Sequence, residues 1–223
     1  MTARTLHYVY DPLCGWCYAA APLVEAVRDA GLDIVLHGGG LWDVPTSLSA
    51  EKSNYIREND ERIAALTGLS FGAAYLGGLL TNADAILWSR PTIAAVLAAA
   101  VVGAGAKFKM LRAIQEAHYV FGRRVVDPLI LSELSEKIGL NRAAFDQAFR
   151  DVAVDEHIQA TRQLMQQIGL RGFPGFVLEH GSAMRRVEHE AFYGRPEAFV
   201  RAIVEIAPPA SDICTSTHER TIS

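Results

Sequence analysis

Cys14 and Cys17 sit three residues apart where an extended apolar run gives way to a helical one, and few folds accept that arrangement. The run Leu6-His7-Tyr8-Val9-Tyr10 stops at Asp11-Pro12. Beyond the cysteines, Pro22, Leu23, Val24, Ala26 and Val27 have helical spacing, ending near Gly31. Cysteines at i and i+3 of a helix start share one face, about 5–6 Å apart at Cβ, close to what a disulfide requires. The unpaired N–H groups and macrodipole at the amino end of a helix favour a thiolate there. Strand, CxxC, helix is therefore a redox motif. The competing reading is half of a zinc site, which usually needs a second Cys or His pair. Cys214 is single and His180 and His189 are only loosely spaced, so we expect no metal.

The rest of the chain supplies the frame. Asp33–His37 reads as a second, buried strand, giving a βαβ unit with a right-handed crossover. Gly38-Gly39-Gly40 lacks the Walker Lys-Ser/Thr and the Rossmann spacing, and reads as a flexible strand end beside the site. From Ser49 the pattern is helical. Glu51–Thr67 offers Tyr55, Ile56, Ile63 and Leu66 as apolar contacts, and Ser70–Leu80 reads as an irregular segment near a cleft. Helices follow from Ser89-Arg90-Pro91 towards Val102, over Lys107–Phe121, from Asp127-Pro128 to Gly139, after an Asn141 cap with Phe145 and Phe149 paired, and over Val154–Ile168.

Strand character returns with Phe176–Glu179. A His180-Gly181-Ser182 turn and a strand over Met184–Glu188 complete a hairpin. A last helix, Glu197–Ile206, buries Phe199, Val200, Ile203 and Val204, and Pro208-Pro209 ends it. The order is βαβ, a helical block, then ββα. Strands on both sides of the block are needed for one sheet, so the block reads as an insertion. We expect residues 1–48 and 168–207 to form one discontinuous domain, 49–167 a helical insertion and 208–223 a flexible tail.

Composition excludes some partners. With 223 residues, half of them hydrophobic, the chain can bury an ample core. A net charge of -4 gives no reason to expect nucleic acid. Ile93–Val102 is too short for a bilayer, which needs about 20 residues, and the start has no apolar signal core. The expectation is a cytoplasmic protein without a membrane partner, its oligomeric state (monomer or homodimer) open. Three cysteines are too few for a disulfide scaffold.

With Gly172-Phe173-Pro174 leading into the hairpin, this order resembles the DsbA-like branch of the thioredoxin superfamily. Asp11-Pro12-Leu13-Cys14-Gly15-Trp16-Cys17-Tyr18 resembles its FrnE-like group of cytoplasmic oxidoreductases. The resemblance implies an α/β thioredoxin fold with a large all-helical insertion, and a disulfide oxidoreductase or isomerase acting on protein or small-molecule thiols and disulfides. It implies Cys14 as exposed nucleophile, Cys17 as the more buried resolving thiol, and Pro174 as a cis-proline facing them. Phe173 would touch the sulfurs or the substrate. Gly175 stands where Thr is common, which would loosen the loop.

At the exposed turn Trp16 belongs to the substrate surface, while Tyr18, Trp42, Tyr75 and Trp88 are expected in the core. No acid stands out beneath Cys17; His7 and Asp11 are the nearest candidates. Cys14 would form a mixed disulfide that Cys17 resolves, and a cytoplasmic glutathione poise favours reduction or isomerisation. No cofactor is expected, with glutathione the candidate co-substrate. Two alternatives use the same fold. One is a glutathione-dependent enzyme of the kappa-transferase or 2-hydroxychromene-2-carboxylate isomerase type, which typically has Ser at the first cysteine. The other is a chaperone-like binding module. Cys214 reads as an incidental tail thiol.

Overall fold

The computed structural model describes residues 4–206. Strand β1 (Arg4–Tyr10) buries Leu6, Tyr8 and Tyr10 on one face by its two-residue period. It pairs in parallel with β2 (Asp33–Gly38), Leu6 beside Ile34 and Tyr8 beside Leu36. On its other edge it runs antiparallel to β5 (Gly175–His180), Leu6 beside Leu178 and Tyr8 beside Phe176. Strand β6 (Ala183–Arg186) closes the sheet in the order β2-β1-β5-β6. Helices α1 (Gly15–Asp29) and α9 (Pro196–Glu205) pack together, and Leu23, Val27, Phe199 and Ile203 join the sheet's core.

Between β2 and β5 the chain forms α2 (Ala50–Thr67), α3 (Ala73–Leu76), α4 (Ser89–Val102), α5 (Ala106–Tyr119), α6 (Pro128–Lys137), α7 (Arg142–Asp151) and α8 (Val154–Gln167). A short ribbon pairs β3 (Thr46–Ser47) with β4 (Ile86–Leu87). Local chemistry sets several boundaries. Ser49 Oγ accepts the Lys52 N–H at the start of α2, and Gly68, at φ +72, ends it. Asp127 and Asn141 cap α6 and α7 in the same way. Helix α4 is apolar nearly all round and is packed by α5, α7 and α8. No helix among the described residues is long and apolar enough to cross a membrane.

Some expectations are corrected. Tyr55 and Leu66 are 65% and 55% exposed. The inward stripe of α2 is Ser53, Ile56, Asp60 and Ile63, and the 3.6-residue period leaves Tyr55 and Leu66 about a quarter-turn off it. Val204 faces out for the same reason, one residue beyond buried Ile203. The segment expected to be irregular holds α3 and a single 3₁₀ turn at Leu79–Thr81. There the backbone of α3 lies directly on the end of α5. A Cβ on Gly72 would lie 1.9 Å from the Val120 carbonyl oxygen, and one on Gly122, at φ +60, 2.4 Å from that of Ala74. Gly72 N–H donates to the Tyr119 carbonyl at 2.9 Å. Pro208-Pro209, the expected tail and Cys214 lie outside the described residues.

Candidate active site

The site is built where β1 ends. Asp11 is fully buried, and its carboxylate accepts the Leu13 N–H at 2.8 Å and the Leu41 N–H at 2.7 Å. It therefore ties the turn before Cys14 to the glycine segment after β2. Burial pushes this carboxyl up, against the Ser89 hydroxyl, the two backbone donors and the Arg162 charge, which favour the ionised form. The Asp11 N–H donates to Cys17 Sγ at 3.4 Å.

Asp11→Asn leaves one oxygen for two donors and turns an amide N–H toward one of them. We expect a loss of about 2 kcal/mol, the scale of an unmatched buried polar group, read from urea unfolding at pH 7. An unchanged midpoint would show that the bridge contributes nothing.

Cys14 is not the exposed residue expected: it is the extended N-cap residue of α1, buried at 6% exposure because the Phe173 main chain covers it, with Sγ 3.7 Å from the Phe173 carbonyl oxygen, to which the thiol donates. Cys17 is 0% exposed, one turn into the helix. Burial lifts its thiol well above the ordinary value, and Cys14 adds to the rise. The Tyr8 hydroxyl donates to the Cys17 carbonyl at 3.2 Å. Both thiols are free.

Opposite them, the Phe173–Pro174 peptide is cis. The Phe173 ring occupies the space beside Gly39, where a Cβ would come within 2.3 Å of it. The glycine segment is pinned rather than loose. Gly38 N–H donates to His157 Nε2 and Gly39 N–H to Tyr10 O, while Arg162 donates to the carbonyls of Gly39 and Gly40. Gly175 does not leave a gap either, because a Cβ there would lie 2.7 Å from Leu170 Cδ1. Leu170 fills the volume that a larger residue would take.

Trp16 is half-buried and packs on Tyr193, ring centroids 5.4 Å apart. It stands between two hollows. One, of about 540 Å³, runs along Phe173 and Pro174. The other, of about 460 Å³, reaches Cys14 and is walled by α2, α3 and the end of α5. Tyr18 lies in the core, stacked on Tyr119. Tyr75 is both buried and part of the second hollow, which Trp42 also lines. Trp88 is half-buried and does not line it. Of the two acid-relay candidates, Asp11 sits beside Cys17. His7 is turned to the other face of the sheet, hydrogen-bonded to His37 and Glu179 at 2.9 Å each.

Two residues of this hollow escaped the sequence reading. Asp60 is 2% exposed, and its Oδ2 accepts the Tyr75 hydroxyl at 2.8 Å. Burial raises its carboxyl to about 7, while Tyr75 and the Arg57 charge pull the other way. Its signal was an acid in phase with Ile56 and Ile63. His118 is buried against the Tyr75 and Tyr119 rings, its Nδ1 has no partner, and burial lowers its imidazole to about 3. Among the described residues no group of three or more His, Cys, Asp or Glu is arranged to hold a metal ion.

A mixed sheet with a thiol pair at the start of α1 and a cis-proline against the first sulfur defines a thioredoxin fold, here carrying many added helices. The chain belongs to the family described as the DSBA-like thioredoxin domain, whose model matches residues 5–194. No curated protein matches the chain. Among solved structures it is similar to the cytosolic disulfide reductase DsbM from Pseudomonas aeruginosa, at 40% identity and a TM-score of 0.83, over 90% of this chain and 97% of that one. DsbM with GSH aligns over the same shares at 39% identity and a TM-score of 0.81. A 2-hydroxychromene-2-carboxylate isomerase shares the fold, at 17% identity and a TM-score of 0.55, over 81% of this chain and 87% of that one.

Proposed function

We propose that this protein is a cytoplasmic thiol–disulfide oxidoreductase that reduces protein or small-molecule disulfides with glutathione as co-substrate. The observation that carries the reading is the asymmetry of the thiols. Cys14 opens on a cleft at a helix amino end, while Cys17 is sealed beneath it with its proton held by burial. Cys14 is then the attacking sulfur and Cys17 the resolving one. Trp16, Phe173 and Pro174 form the substrate surface, with Phe173 presenting its carbonyl to the first sulfur.

Overall, one substrate disulfide and two glutathione thiols give two substrate thiols and one glutathione disulfide. Similarity to DsbM, a cytosolic reductase solved also with GSH, supports this direction and this donor. An isomerase or transferase of the same fold has no step for a second, buried cysteine, and a binding module has none for either. We place the boundaries of the helical insertion at residues 49 and 167, because β1 pairs with both β2 and β5 across that stretch.

The test is turnover of hydroxyethyl disulfide and of insulin with glutathione, coupled to glutathione reductase. Glutathione-dependent turnover by the full chain is expected. Inactivity with both glutathione and dithiothreitol would sink the oxidoreductase reading, and activity with dithiothreitol alone would remove glutathione from it.

A further inference from the structure

Asp60 is a buried acid with one hydrogen-bond partner among the described residues, set against the reacting end of α1. A Cβ on Gly15, the residue after Cys14, would lie 2.9 Å from Asp60 Oδ1, so the carboxylate reaches the first turn of that helix. Oδ2 accepts a hydrogen bond from the Tyr75 hydroxyl, which leaves Oδ1 as the oxygen nearer the helix end. Asp60, Gly15 and Cys14 line the same cleft, and the remaining walls are largely apolar, among them Leu13, Ile56, Ile63 and Leu80.

From this placement we propose that Asp60 exchanges the proton of the substrate thiol that leaves or enters at Cys14. The inference rests on the oxidoreductase reading. The Cys14 thiolate attacks a disulfide RS–SR′, and a Cys14–SR bond forms as the S–S bond breaks. Cys14 sulfur is oxidised, the departing R′S sulfur is reduced, and protonated Asp60 gives it the one proton it takes, becoming the carboxylate. Run backwards, the carboxylate takes the proton of an entering thiol.

Burial holds this carboxyl near neutrality, so both forms are present at physiological pH, as a two-way proton carrier needs. The groups facing it are few. Arg57 is on its own helix, Tyr75 comes from α3, and His118 and Tyr119 come from α5. Gly15 and Cys14 come from α1. Lys52 and Asn59, also on α2, and Asp43, from the loop after β2, line the same cleft farther along. A purely structural role would leave the side chain as a support for Tyr75, indifferent to which thiol departs.

The test uses the reduced full-length chain and two disulfides, with rates followed by stopped flow at pH 6.5. Hydroxyethyl disulfide expels a weakly acidic thiol that needs a proton, whereas dithiobis(nitrobenzoate) expels an acidic one that does not. Asp60→Asn is expected to slow the first by about 100-fold, within the usual range for general acid catalysis, and not to slow the second. Equal slowing of both, or of neither, overturns the inference. A wild type inactive toward both overturns the underlying reading instead. Should Asp60→Asn fail to fold, Tyr75→Phe serves. It removes a donor that favours the ionised form, so the advantage on hydroxyethyl disulfide persists to higher pH. An unshifted profile counts against Asp60.

Discussion

Cys17→Ser is expected to stop the proposed reaction halfway, at a Cys14–substrate disulfide that survives non-reducing electrophoresis, and Cys14→Ser is expected never to reach that point. Both expectations follow from which sulfur meets the cleft. Cys14 is at the helix end with its sulfur against the Phe173 carbonyl and open to the cleft. If Cys14 is the nucleophile, as proposed, turnover without it should fall by three or more orders of magnitude, the scale seen when an enzyme loses its attacking atom. Cys17 is sealed by Tyr8, Asp11 and the rest of the core, and a substrate disulfide cannot reach it. Its thiol is held protonated by burial, so it acts once the mixed disulfide has formed above it. Serine there cannot complete the exchange and the adduct accumulates. Mass spectrometry of each variant after mixing with insulin reads the outcome, and an adduct on Cys17 in the Cys14→Ser protein would reverse the assignment.

The second large effect is on stability in acid. His118 is buried with Nδ1 unpartnered, and its imidazole is lowered to about 3 by burial. His37 is lowered to about 4, first by burial and then by the His7, His157 and Lys107 charges. Each is depressed below the value near 6.5 expected in the unfolded chain. Their contribution is whole above that value and is lost as pH falls through it, because only the unfolded chain takes up the proton. Between pH 6.5 and 5 a fully protected imidazole forfeits about 2 kcal/mol, and part-exposed His37 forfeits less.

Asp60 works in the opposite sense. Its raised carboxyl contributes below the ordinary aspartate range, and that contribution is lost as pH rises toward 7. Asp60 offsets about one histidine's loss, so the effect is read by difference: between urea unfolding at pH 7 and at pH 5, His118→Phe, keeping a ring against Tyr75 and Tyr119, should lose about 2 kcal/mol less than the wild type. An unchanged loss would mean that this histidine is not held neutral.

What the sequence made legible was local. The turn at Asp11-Pro12, the cysteine spacing, the Asn141 cap and the hairpin at Gly181 are each set by residues within a few positions of one another. The site needed distant contacts. Gly39 was read as flexible because three glycines in a row suggest freedom, yet it is the place where the Phe173 ring enters and where Arg162, from α8, holds the backbone. Tyr55 and Leu66 were assigned inward on hydrophobicity, which is a one-way signal, although the helical phase pointed elsewhere. Asp60 was passed over because it is polar, although that phase pointed straight at it. A polar residue on an apolar stripe is costly to bury, which makes it the more informative member of the pair.

The contact of α3 with the end of α5 has a further consequence. At Gly72 and Gly122 two stretches of main chain touch with no side chain between them. The seam where those two walls meet is therefore set by peptide geometry, the same whatever side chains line the hollow. Substitution at Ile56, Leu79 or Leu87 would retune which surfaces the opening prefers without moving that seam.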